Sequence, residues 1–196
     1  VGEYYNVGIF QSLPLVFPHV MARDIADYHA AGARLFYYMH VPTSRWGPWR
    51  LNHLVMSEAL WSPGFNVDSL VADYCARAFP GAAADMGAYY RSLESASANI
   101  FAVELAVGGV FGVAGNPEGR LAVRSMPLFQ LAHLPYAATE RAANAAPAWS
   151  EIAAGMASAR ASLERARLAV RDPGARARLE DDDARFTYGE RTFALY

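Results

Sequence analysis

The spacing of apolar positions divides the chain into an extended, aromatic beginning and a helical remainder. Gly2–Phe10 is built from tyrosines, valine and isoleucine with few helix formers, and predicts an extended segment. Ser12–Pro18 carries Pro14 and Pro18 and predicts a loop. His19–Ala31 has helical composition, and Gly32 follows where a helix-ending glycine belongs. Ala33–Val41 is a run of large apolar and aromatic residues stopped by Pro42, the pattern of a strand buried on both faces in a parallel sheet. Strand, helix, glycine and strand in this order predict one βαβ unit with a right-handed crossover.

Beyond Pro42 the period is helical. The loop Pro42–Trp49 leads into a helix over Arg50–Trp61 that ends at Pro63-Gly64. Asn66 is a plausible N-cap for the next helix, where Val67, Leu70, Val71, Tyr74, Cys75 and Ala78 form one apolar stripe. Pro80-Gly81 stops it, and a further helix over Ala82–Ala98 carries Met86, Tyr89, Tyr90 and Leu93 as its larger apolar residues. Residues 107–136 are punctuated by glycine and proline and read as a long loop region. Ile152, Met156, Ala159, Leu163, Ala166 and Val170 make a packing seam of partly small residues that allows close helix approach. Asp172-Pro173 caps and opens a final helix.

Composition narrows the chemistry. The 196 residues carry a formal net charge of −2, which offers no default surface for a polyanion, so nucleic acid is not an expected partner. All 17 basic residues are arginine, which excludes a Schiff-base or P-loop lysine within these residues. The single cysteine, Cys75, excludes an internal disulfide and lies on an apolar stripe, where it should be buried and inert. The longest apolar stretch, Ile100–Ala114, is interrupted by Glu104 and rich in glycine, so no membrane span is expected. The histidines are not spaced like a metal site, and neither a metal nor a cofactor is expected. Asp181-Asp182-Asp183 reads as a solvated helix face rather than a calcium site, and Trp61 as an anchor of helix on helix.

Residues 58–94 carry the most specific pattern. Leu60, Trp61, Pro63, Val67, Asp68, Phe79, Gly81, Ala82, Ala83, Met86, Tyr89 and Tyr90 match a helical signature that follows the barrel in a family of bacterial glycoside-hydrolase-like proteins catalogued as a domain of unknown function. That family resembles the alpha-glucuronidases and, more distantly, the beta-hexosaminidases. Ser62 stands where the signature usually has aspartate, and Pro80 intrudes before the glycine. Glu3-Tyr4-Tyr5, the helix–glycine–strand unit and the closing DPGARARLE are also similar to the family. The resemblance implies an α/β fold: the last two repeats of a (β/α)8 barrel over residues 1–62, then a mainly α-helical C-terminal domain over residues 63–196, the chain itself being mostly helical. A complete barrel needs roughly 250 residues, so the remaining strands are expected from the same protein or a companion chain.

In such barrels the chemistry sits at the C-terminal strand ends. Glu3 is the candidate catalytic carboxylate, with Tyr5 beside it as a candidate substrate contact. Glycoside hydrolysis needs two carboxylates, ~5–5.5 Å apart for retention and ~6.5–9.5 Å for inversion. Asp24 and Asp27, the only other acids before Glu58, fall on the helix outside the barrel, so the second carboxylate is expected from the missing strands. His40, Arg45, Trp46 and Trp49 are the other candidate substrate-binding residues: indoles offer flat apolar faces to a sugar, and arginine pairs an acidic sugar. Alternatively, Glu3 pairs an arginine, His40 is a satisfied strand-end histidine, and both tryptophans fasten barrel to helical domain. Asn52-His53 is a weaker candidate pair. The expected function is that of a carbohydrate-active glycoside hydrolase fragment, inactive alone. The alternatives are a non-catalytic helical scaffold or oligomerisation module, and a glycan-binding protein.

Overall fold

A computed structural model describes residues 1–3, 5, 13–38, 45–98 and 145–194. The order is β1 (Gly2–Glu3), α1 (Pro18–Ala30), β2 (Tyr37–Tyr38), α2 (Trp49–Trp61), α3 (Val67–Ala78), α4 (Ala83–Ser97), α5 (Ala145–Ala169) and α6 (Pro173–Phe193). The expected loop over residues 107–136 lies outside the described residues. The chain is mostly helical, with two short strands among the described residues; β1 and β2 pair in parallel, Gly2 against Tyr37 and Glu3 against Tyr38. Most of the expected strand Gly2–Phe10 and the end of Ala33–Val41 lie outside the described residues; the described pairs make a two-stranded parallel ribbon.

Local chemistry explains the helix boundaries. Phe17 cannot cap α1 with its own side chain, so α1 borrows acceptors: the Asn52 carboxamide oxygen takes the Phe17 N–H at 3.0 Å, and Glu94 takes the His19 N–H at 2.9 Å. Gly32, at φ 97°, closes α1, with Ala33 N–H bonded to Tyr28 O and Gly32 N–H to His29 O. Asn66 caps α3 through Ser69 N–H at 2.8 Å, and Asp172 caps α6 through Ala175 N–H at 2.7 Å with Pro173 opening the helix.

One contiguous core runs from Leu13 to Phe193. The expected seam of α5 is buried throughout, from Ile152 to Val170, as are Met86, Tyr89, Tyr90 and Leu93 of α4. The two helices approach so closely that a Cβ built on Gly155 would lie 2.8 Å from Ala96 Cβ. Tyr74, Phe79, Tyr89, Tyr90 and Phe186 pack as tilted and edge-on rings at the centre. Cys75 is buried, as its stripe position implied, and burial pushes its thiol up to about 12.

Two expectations are overturned. Trp61 anchors nothing: it ends α2 with 89% of its surface exposed. The triple aspartate of α6 is not a solvated face. Asp182 is fully buried, and Asp181 and Asp183 are largely covered. The reason is register: Asp182 occupies an inward position in the buried series Ala175, Leu179, Asp182, Phe186, Gly189 and Phe193.

Candidate functional site

The parallel ribbon has two unlike faces. Glu3, Tyr5 and Tyr38 turn toward the helices. The Tyr28 hydroxyl of α1 donates to Glu3 Oε1, and the Tyr5 hydroxyl donates to Asp24 Oδ2 at 3.1 Å. Asp24, set aside in the sequence as a helix carboxylate, thus belongs to the same polar cluster as Glu3. The bond to Glu3 pushes the Tyr28 phenol up to about 12, and burial beside Asp24 raises that of Tyr5. On the opposite face, Leu35 and Tyr37 are 85% and 59% exposed. A Cβ on Gly2 would meet the Tyr37 ring at 3.4 Å, so Gly2 shares that bare face.

A line of rings crosses from β1 to the loop before α2. The Tyr5 ring lies 6.2 Å from Tyr38, Tyr38 5.7 Å from His53, and His53 4.4 Å edge-on to Trp46. The structure therefore brings Glu3, Tyr5 and Trp46 into one strip with His53. Its neighbour Asn52 is fully buried and serves α1, accepting from Phe17 N–H and donating to Leu15 O at 3.0 Å. His40 lies outside the described residues.

Trp49 departs from the platform expected of it. It is buried, its indole N–H bonds Leu13 O at 3.0 Å, and the Arg185 guanidinium covers its ring at 4.0 Å from the centroid. This ring packs the turn onto α6 and leaves Trp46 as the half-buried indole of the pair.

Helix α6 holds that turn at several points. Asp181 Oδ2 accepts Gly47 N–H at 2.8 Å and lies 3.3 Å from the Arg50 guanidinium. Arg185 donates to Arg45 O, so Arg45 enters the site through its backbone. Arg50 Nη2 donates to Asp182 Oδ1 at 2.6 Å and to Arg178 O at 2.9 Å. The Tyr90 hydroxyl donates to the second Asp182 oxygen at 2.5 Å. Gly47 is required here: it sits at φ 52°, and a Cβ would come within 3.0 Å of Arg185 Cβ. Burial pushes the Asp182 carboxyl up to about 6 although Arg50 and Tyr90 pull it down. Burial opposes the charge on Arg50, but Asp182 outweighs it and holds the guanidinium above its ordinary value.

Comparison with family models, with curated proteins and with solved structures gives no match.

The function of the site rests on its geometry. Among the described residues no cluster of three or more histidine, cysteine or acidic side chains is placed to hold a metal. No helix of the described residues is long and apolar enough to cross a membrane. The arrangement offers a paired carboxylate and phenol, Glu3 with Tyr28, beside a strip of aromatic edges. That chemistry suits hydroxyl binding. Sequence reasoning missed Asp24, Tyr28, Asp181, Asp182 and Arg185. Only Asp182 left a signal, as an acid in an otherwise apolar or small-residue helical register.

Proposed function

We propose that this chain supplies the last two strand–helix repeats of a (β/α)8-type barrel and an appended helical domain, and that the complete protein is a carbohydrate-active glycoside hydrolase. One observation carries this reading. Two parallel strands joined through a helix have α1 and α2 on one side and, among the described residues, exposed Leu35 and Tyr37 on the other. Parallel sheets are covered on both faces, so further strands are the natural cover. In this reading Trp46 and Tyr5 line the sugar path, and Arg45 and His40, the latter outside the described residues, are the further candidate contacts. Glu3 lies on the helix-facing side, bonded by Tyr28, but at a strand end, and from there it supplies one carboxylate or holds a sugar hydroxyl; the second carboxylate comes from the preceding strands. No cofactor is required, because protonated and ionised carboxylates suffice for glycosidic cleavage.

The scaffold alternative draws on a specific observation too. Trp49 and the contacts of α6 with the Arg45–Arg50 turn bind the turn to the helical layer. The two readings separate in the intact gene product, with hydrolysis and binding of acidic and neutral oligosaccharides measured independently. The enzyme reading expects Glu3→Gln to reduce hydrolysis with the protein still folded, and Trp46→Ala to weaken saccharide binding. Unchanged hydrolysis in Glu3→Gln removes Glu3 from catalysis. No saccharide binding by the intact protein removes the carbohydrate reading altogether.

A further inference from the structure

A concavity lies where the start of α1 meets the α3–α4 hairpin. It encloses about 500 Å³, within the range of small-molecule sites. Its apolar lining is Leu51, Val71, Ala72, Ala83, Ala84 and Tyr90, and the short alanine side chains leave space. The near end is polar, with His19, Asp68, Arg91 and Glu94. Counting back from the turn at Phe79–Ala82, Asp68 lies level with the Arg91–Glu94 stretch of α4, so the four polar residues gather at one end. Between Ala84 and Glu94 the helix rises ~15 Å, the length of a small amphipathic molecule.

The four polar groups are not equally committed. Glu94 is engaged twice by His19, accepting its backbone N–H at 2.9 Å and facing its Nδ1 at 2.8 Å. Among the described residues Asp68 has His19 Nε2, at 3.6 Å, as its ion-pair partner, and its side chain is 78% exposed. Arg91 forms no ion pair or side-chain hydrogen bond among the described residues. One cation and one carboxylate are therefore both available at the mouth of an apolar trough.

We propose that this trough binds a free α-amino acid with a large apolar side chain. Its carboxylate lies on the Arg91 guanidinium, its ammonium on Asp68, and its side chain along Val71, Ala83 and Ala84. A simple acid adds nothing to the loose contact of Asp68 with His19, and a simple amine does not engage Arg91. The site is independent of the strand-end cluster, since none of Glu3, Tyr5 or Trp46 lines it.

Calorimetric titration of the chain with L-phenylalanine, phenylacetate and phenethylamine tests the assignment. Phenylalanine is expected to bind once per chain and at least about tenfold more tightly than either half-molecule. Arg91→Gln and Asp68→Asn, both on exposed side chains, each weaken it about tenfold. Ala84→Phe fills the apolar end and abolishes binding; if that variant does not fold by circular dichroism, the two rim variants decide. Phenylalanine failing to saturate by about 10 mM, binding no better than its two halves, or binding unchanged in both rim variants overturns the proposal.

Discussion

Replacing Asp182 with asparagine should reveal a carboxylate that opposes the fold at neutral pH and ceases to do so in acid. Asp182 is fully buried, bonded to Arg50 at 2.6 Å and Tyr90 at 2.5 Å. Tyr74, Tyr89 and Cys75 lie within reach of its charge, with Asp181 and Asp183 beside it on α6. Burial raises its carboxyl from 3.8 to about 6. A raised acid means that the folded chain holds the proton more tightly than the unfolded chain. Its stabilising contribution is therefore complete below the unfolded value, 3.8, and is lost as pH rises through about 6. A gap of about two pK units at ~1.4 kcal/mol each makes ~3 kcal/mol in all, most of it between pH ~4 and ~8. Urea unfolding of both proteins across that range isolates the effect, because titrations common to both largely cancel in the difference. The stability of the wild type relative to Asp182→Asn should fall by ~2–3 kcal/mol from pH ~4 to ~8, on top of a constant offset from the altered contact with Arg50. A difference that is flat, or that grows as pH rises, would refute the reasoning.

Other perturbations test the packing. Gly155→Ala, which in an exposed helix gains about 1 kcal/mol, should instead lower stability by ~1–3 kcal/mol, because its Cβ meets Ala96 at 2.8 Å; a raised melting temperature contradicts the close α4–α5 approach. Trp61→Ser should change the stability of the isolated chain by less than ~0.5 kcal/mol, and a large loss in denaturant titration restores it as an anchor. Cys75, buried with its thiol pushed up to about 12, should resist a thiol reagent at pH ~8 until the chain unfolds; rapid stoichiometric labelling of the native chain is the contrary result.

The candidate site is a joint product of distant segments. The turn bearing Trp46 is short and contains Gly47, so little in it defines a unique shape. Asp181 and Arg185 supply that shape from α6 by taking the Gly47 N–H and bonding Arg45 O. Arg50 then links the same helix to the core through Asp182, whose other oxygen bonds Tyr90 of α4. Because a buried carboxylate and guanidinium are costly unless both are paired, Arg50 and Asp182 form a unit: loss of Arg50 leaves Asp182 to the Tyr90 hydroxyl, and loss of Asp182 leaves Arg50 the longer contact with Asp181.

The sequence by itself determined what depends on neighbours a few residues away. Asn66 and Asp172 cap their helices because a short polar side chain reaches the N–H three residues on. Gly32 closes α1 because it tolerates positive φ, and the α5 seam is buried because apolar residues recur on one face. The parallel pairing of β1 with β2 followed from strand, helix, glycine and strand in that order. Only the tertiary structure decided what each face meets. It turned Glu3 toward Tyr28, buried Trp49 under Arg185, left Trp61 in solvent and drew Asp182 inward to Arg50. Periodicity identifies a face, but its partner comes from elements distant in the chain, more than a hundred residues away for Arg50 with Asp182 and Trp49 with Arg185, and that partner decides whether a tryptophan is sealed or an aspartate is paired.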